Sequence, residues 1–341
     1  MAALSVLHLV GSAEDDFHAE LSALYAREVL SPEGTRARFA RVEPGGRWRF
    51  GDHLDALGEA VDAPAALARI AGDRPDLVVP HMFCTSGMTT YRALMEDVLG
   101  VPIVGSRAAT CAVAADKPWT RGVLAAAGVE VARGAVLAPG DAAPDLGFPV
   151  VVKPASVDNS MGLSFVASAA GMEAALDAAF AQDGRILVET YIPGREIRLC
   201  VVETEDGPVV PATMEYPVSA ERPVREVADK LDIAEDGTPR AQTVRAAAKP
   251  TVPAELSPGL RARLEATALA AHRALDCRDY SLWDVRVREG DGAVVVLEAG
   301  LFWAFSEISM ISAMLAADGR DVEGMIGAMW RRAAARTPTP R

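Results

Sequence analysis

A chain of 341 residues, half of them hydrophobic, can bury the cores of two or three domains. Its formal net charge of −13 argues against a broad nucleic-acid surface, so an anionic ligand needs a pocket of its own. Cys84, Cys111, Cys200 and Cys277 lack CxxC spacing and the histidines lack ligand-like pairing, which excludes a zinc motif or a disulfide framework and favours a reduced, cytoplasmic setting.

In chain order, "SVLHLV" predicts a first strand. It is too short to cross a membrane and lacks a basic leader, so no membrane association is expected. A helix over "DDFHAELSALYAREVL", another over "APAALARIA", a buried strand "DLVVP", a helix around "TTYRALMEDVL" and a short strand "VPIVG" follow. This alternation predicts a parallel α/β domain over residues 1–110. A helix stopped by Gly128, "FPVVVKPAS", the loop "VDNSMGLSFVAS", a helix "AAGMEAALDAAFA" and the strand "RILVETYI" make a second unit, residues 111–190. Residues 191–341 form a third, with "REIRLCVVE", a helix "LRARLEATALAAHRALD", two paired strands and a last helix.

The paired strands "YSLWDVRVRE" and "AVVVLEAG" flank Gly-Asp-Gly. A three-residue loop at Gly290–Gly292 sets Glu289 opposite Ala293 and so Asp284 opposite Glu298. Two carboxylates facing each other between apolar neighbours are unfavourable without a cation, and the hard oxygen pair suits Mg2+; the ordinary alternative is two solvated surface acids. Upstream, Lys153 ends a buried strand, and Asn159, Ser160 and Gly162 lie in a flexible loop able to aim backbone N–H groups at phosphates. Taken alone, such a lysine is more often an exposed strand-end residue and such a loop only a turn. In "ETYIPGRE", Glu189, the backbone at Tyr191 and Ile192, and Glu196 form a candidate hinge for adenine and ribose.

The order Lys117, Lys153, glycine-containing loop, Glu189, Glu196, Lys230, Asp284, Glu298 resembles the ATP-grasp superfamily, and within it the D-alanine–D-alanine ligase-like branch, over nearly the whole chain. The resemblance implies an α+β fold with two ATP-grasp subdomains after the N-terminal domain, ATP and Mg2+ as cofactors, and a phosphorylated intermediate attacked by an amine. It also implies phosphate contacts for Lys117 and Lys153, magnesium at Asp284 and Glu298, charge neutralisation by Lys230, and a homodimer. Two features depart from the dipeptide ligases: Gly300 replaces the asparagine of Glu-x-Asn, and Leu282 replaces an arginine two residues before Asp284. Arg286, on the same strand face as Asp284, is the expected substitute for that arginine.

"HLVGSAEDDF", "MFCTSGMTTYRAL", "DNSMGLS", "ADKL", "YSLWDVRV" and "LEAGLFWAFS" are together similar to the ligases that complete mycosporine-like amino acid synthesis, which join an amino acid to mycosporine-glycine as an imine. That resemblance implies space at Gly300 and an aromatic wall from Phe302, Trp303 or Phe305, against the ordinary expectation that such aromatics are core. Ser306, Ser309, Glu14, Asp15 and Ser86 are candidates for the amino acid's carboxylate and ammonium, although acids after a first strand also serve as helix caps. The competing readings are a D-alanine–D-alanine or other amino-acid ligase and a non-catalytic nucleotide-binding module.

Overall fold

The computed structural model describes residues 3–230, 249–307 and 309–336. The first sheet contains β1 (Leu4–Gly11), β2 (Thr35–Val42), β3 (Trp48–Gly51) and β4 (Leu77–Pro80) in the order β3-β2-β1-β4. β1 runs parallel to β2 and β4, but β3 pairs antiparallel with β2, so the sheet is mixed rather than all parallel. The polar "RVEPGGRWRF" hairpin that builds this edge is absent from the sequence expectation because its strands alternate only weakly. Conversely, "VPIVG" contributes an isolated bridge, Val78 to Ile103, not a strand. Helices α1 (Asp16–Arg27) and α2 (Ala63–Gly72) begin on aspartate caps, Asp15 and Asp62.

Between the sheets lie α3 (Ala108–Ala115) and α4 (Lys117–Ala126), the latter capped by Asp116 and followed by Gly128 at φ 78°. The second sheet, order β5-β8-β6-β7, is antiparallel throughout: β5 (Gly134–Leu137), β6 (Val150–Pro154), β7 (Ser164–Val166) and β8 (Ile186–Thr190). Helix α5 (Met172–Phe180) packs on its apolar side through Ala175 and Ala179.

The third sheet is built on β9 (Gly194–Thr204), with β10 (Gly207–Val209) and β11 (Met214–Tyr216) on one side and β12 (Tyr280–Arg288) and β13 (Val294–Gly300) on the other. The short α6 (Val227–Lys230) follows β11. Helix α7 (Pro258–Ala274) covers one face through Leu260, Leu264 and Ala271; α8 (Met310–Ala317) and α9 (Val322–Ala334) close the core nearer the first sheet.

The β12–β13 hairpin reaches the expected Asp284–Glu298 pairing by another route. The amide of Arg288 donates to Ala293 O, so the loop is one residue longer than expected. An extra residue at Leu297 then shifts the register between Asp284 and Val285, and Asp284 faces Glu298 after all.

Candidate active site

Because side chains alternate along a strand, the inner face of the third sheet reads as three rungs. Glu196 stands opposite Arg286; Arg198 opposite Asp284, which faces Glu298; Cys200 opposite Leu282, which faces Gly300. Charge is dense in the first two rungs and absent from the third.

The first rung borders a cleft between the second and third sheets, lined by Lys117, Lys153, Ser160, Glu189, Tyr191 and Ile192 among others. Lys153 is 6% exposed, and its Nζ lies 2.6 Å from Glu189 Oε1, so it is a buried ion-pair partner and not the exposed strand-end residue of the sequence expectation. Lys117 Nζ donates to Val157 O at 2.7 Å and lies 3.6 Å from Glu298 Oε1, which ties α4 to the hairpin carboxylate. Asn159, Ser160 and Gly162 have φ of 59°, 61° and 69°; a Cβ on Gly162 would come within 2.9 Å of Pro154 and Gln182 side-chain carbons, so the tight return of this loop requires glycine. Tyr191 packs edge-on against Phe165, and Ile192 O accepts from Arg286.

Arg286 faces this cleft. It is 3% exposed and donates to Glu196 Oε2 at 2.8 Å and to the carbonyls of Ile192 and Gly194. The carboxylate of Asp284, where Arg286 was expected, is held by two arginines that the sequence reading missed. Arg198 Nε and Nη2 donate to the two oxygens of Asp284 at 2.6 and 2.7 Å, and Arg225 donates to both Glu196 and Asp284. Desolvation pulls both guanidinium pKa values down, but the adjacent carboxylates outweigh it and the net direction is upward, so both stay charged. The signal for Arg198 was present: it lies two residues beyond Glu196 on one strand and so shares its face. Arg225 lies on an irregular segment with no such periodicity.

Beyond the second rung opens a cavity of about 270 Å3, close to the size of small-metabolite pockets. Leu282, Gly300, Phe302, Tyr25 and Phe83 line it, and His18, Arg198 and Glu298 add polar groups. Of the three expected aromatics, Phe302 faces this space, with ring centroids 3.8 Å from Phe83 and 5.9 Å from Tyr25. Trp303 also lines it but is 1% exposed and stacks on the fully buried Phe305 at 4.8 Å.

The remaining candidates separate. Ser309 lines the cavity while its hydroxyl donates to Ser306 O and accepts from Trp303 Nε1; Ser306 is fully buried, and its own hydroxyl has no partner among the described residues. Asp15 is the cap of α1, accepting from the amide and ring of His18, which is the structural alternative to a substrate contact. Glu14 Oε1 accepts from the amide of Ser86 at 2.7 Å, so these two meet each other. Cys84 is buried beside Ser86. The side chain of Lys230, the last residue of α6, lies outside the described part of the structure.

Asp284 and Glu298 fit a hard divalent cation: two carboxylates face each other across a hairpin at the mouth of a lysine-lined cleft, leaving further positions to phosphates and water. Among the described residues no group of three or more His, Cys, Asp or Glu side chains is arranged for a metal, so protein oxygens alone do not complete the shell. No helix among them is long and apolar enough to cross a membrane.

Two antiparallel-built sheets closing on a charged cleft, behind an α/β domain, make up the ATP-grasp fold. Structures with this fold include the D-alanine–D-alanine ligase of Coxiella burnetii (TM-score 0.76, 21% identity, 99% of this chain and 95% of that one). The Bacillus anthracis enzyme complexed with ATP is another (TM-score 0.71, 19% identity, 98% and 99% covered). The family model described as D-ala D-ala ligase C-terminus matches residues 138–330. Curated D-alanine–D-alanine ligases of Frankia casuarinae (35% identity over 274 residues, 78% of this chain and 68% of that protein) and Mycobacterium sp. strain KMS (33% over 317 residues, 91% and 80%) align with it. The chain belongs to the D-alanine–D-alanine ligase family. It is an ATP-dependent amino-acid ligase of that type, and the family forms C–N bonds using ATP and Mg2+.

Proposed function

We propose that this ligase condenses a small amino acid with mycosporine-glycine. The observation that carries the acceptor assignment is the Leu282–Gly300 rung, which presents a bare apolar face to an aromatic-walled cavity where the dipeptide ligases, by the pattern given above, carry arginine and asparagine. In this reading the chain is divided into units 1–110, 111–190 and 191–341, and nucleotide lies between the second and third. Lys117, Lys153 and the 158–163 loop hold phosphates, Glu189 and the Tyr191–Ile192 backbone hold adenine, and Glu196 holds ribose. Asp284 and Glu298 hold Mg2+, which supplies charge neutralisation during phosphoryl transfer. Lys230 adds charge at the phosphoryl group. Arg286 fixes Glu196.

The acceptor's ring oxygen is electron-rich but a poor leaving group. Attack of that oxygen on the γ-phosphorus forms an O–P bond and releases ADP. The amine then adds to the ring carbon, the C–O bond breaks with loss of phosphate, and the amine's proton is given up as the imine forms. Alignment and charge neutralisation are the protein's contributions. The four free, buried cysteines agree with a reducing, cytoplasmic setting.

A second reading, D-alanyl-D-alanine synthesis, is the one that the names of the curated relatives favour, and on the comparisons alone it is the better supported. The two separate in one assay. Purified protein with ATP and Mg2+ is given mycosporine-glycine with serine, threonine, glycine or alanine, and in parallel D-alanine alone. Conversion of the enaminone to an imine moves ultraviolet absorption to longer wavelength with stoichiometric ADP. Formation of D-alanyl-D-alanine with an unchanged chromophore overturns the proposal in favour of the second reading. Absence of ADP with every substrate leaves a nucleotide-binding module.

A further inference from the structure

Arg225, together with Asp284 and Glu298, lines both the nucleotide cleft and the acceptor cavity. Its guanidinium donates through Nε to Glu196 and through Nη2 to Asp284 Oδ2 at 2.7 Å, while its flat face lies 3.9 Å from the centroid of Tyr216. One side chain therefore occupies the two carboxylates assigned above to different parts of one ligand, the ribose and the metal. Neither carboxylate depends on it alone: Asp284 keeps the two-pronged Arg198 bond, and Glu196 keeps Arg286 at 2.8 Å. Arg225 is thus a second cation at both acids. It is delivered by the segment between β11 and α6 and not by a sheet strand, so its withdrawal breaks no strand pairing.

We propose that Arg225 is an internal counter-ion that Mg-nucleotide must displace from Glu196 and Asp284. The physical reason is competition for the same oxygens. A ribose hydroxyl needs an acceptor oxygen of Glu196, and a divalent cation needs a lone pair on Asp284 pointing into the cleft, where Arg225 now donates. A buried guanidinium shared by two carboxylates is well compensated, which keeps the acids from repelling each other. Once ligand takes its place, Arg225 leaves both acids and its guanidinium turns out of the cleft on the segment that carries it. The inference rests on the nucleotide reading of this cleft.

The test uses the full-length protein and two readouts. In the wild type, phenylglyoxal labelling followed by peptide mass spectrometry reports the exposure of individual arginines. Arg225 should be protected without ligand and become labelled with Mg-ADP, while Arg286 stays protected in both states. Calorimetric titration with Mg-ADP, and with adenosine lacking metal, then compares wild type with Arg225→Met and Arg225→Lys. Loss of the competitor should tighten Mg-ADP binding by about tenfold in the methionine variant, with lysine between, because a point charge cannot span both acids. Turnover should fall in both. Arg225 protected equally with and without Mg-ADP overturns the inference, as does weaker or unchanged Mg-ADP binding in a methionine variant of native thermal midpoint. Wild-type protein that binds no Mg-ADP refutes instead the nucleotide reading on which the inference stands.

Discussion

Lys153→Met tests the nucleotide cleft at the residue where stability and function are most entangled. Lys153 is 6% exposed and Glu189 4%, with Nζ and Oε1 2.6 Å apart, and Arg121 Nε lies 3.9 Å from the other carboxylate oxygen. Removing one partner of a fully buried pair leaves an uncompensated charge and costs about 3–5 kcal/mol. Arg121 and the open cleft beside Glu189 lower the expected loss to about 2–3 kcal/mol. Lys153→Met combined with Glu189→Gln removes both charges, so the cycle should return about 2 kcal/mol of coupling. Neither variant retains the lysine, and both should lose ATP binding. Urea denaturation gives the stabilities and calorimetric titration the affinities. Additive stability losses would refute the buried-pair argument. A Lys153→Met protein that binds ATP as wild type does would remove the nucleotide assignment.

Two other expectations follow from particular sites. A Cβ at Gly300 meets Leu282 carbons at 3.4, 3.5 and 3.8 Å, ordinary contact, so Gly300→Asn should fold, but its amide projects toward the acceptor cavity. Overpacking of about 1–3 kcal/mol predicts a KM for the ring substrate raised roughly 5- to 150-fold with little change for ATP, and an unchanged ring-substrate KM would remove the space-making role of Gly300. His8 and His81 share a 3.0 Å ring-nitrogen hydrogen bond in the core of the first sheet, and burial lowers His8 from 6.5 to about 3 and pushes His81 well down too. Both folded values lie below the unfolded one, so this stability is complete above about pH 6.5 and is lost as pH falls toward 3, with about 2 kcal/mol gone from His8 alone at pH 5. Urea midpoints between pH 7.5 and 5 check this, and a flat profile would contradict it.

Much of the site was legible because it follows chain order and strand period. Lys117 opens α4, Lys153 is next to last in β6, Glu196, Asp284 and Glu298 lie within β9, β12 and β13, and alternation along β12 and β13 makes Asp284 and Glu298 share a face under any register that pairs them. The expected three-residue loop was wrong by one residue, yet the Leu297 bulge restored the pairing, an outcome that depends on how the strands twist together and not on local propensity. Which aromatic faces the cavity was likewise undecidable from "LFWAFS", since "W" and "F" at 303 and 305 bury equally well until Tyr280 and Trp330 supply the core that receives them. Local pattern alone carried the fold class and the facing carboxylates, because each is written in chain order and strand period. The burial of Lys153 against Glu189, the bond from Arg286 to Glu196 and the bonds of Arg198 and Arg225 to Asp284 came only with the tertiary fold. These pairings join residues up to 90 positions apart in the chain, and charges so separated acquire partners only when sheets bring them face to face.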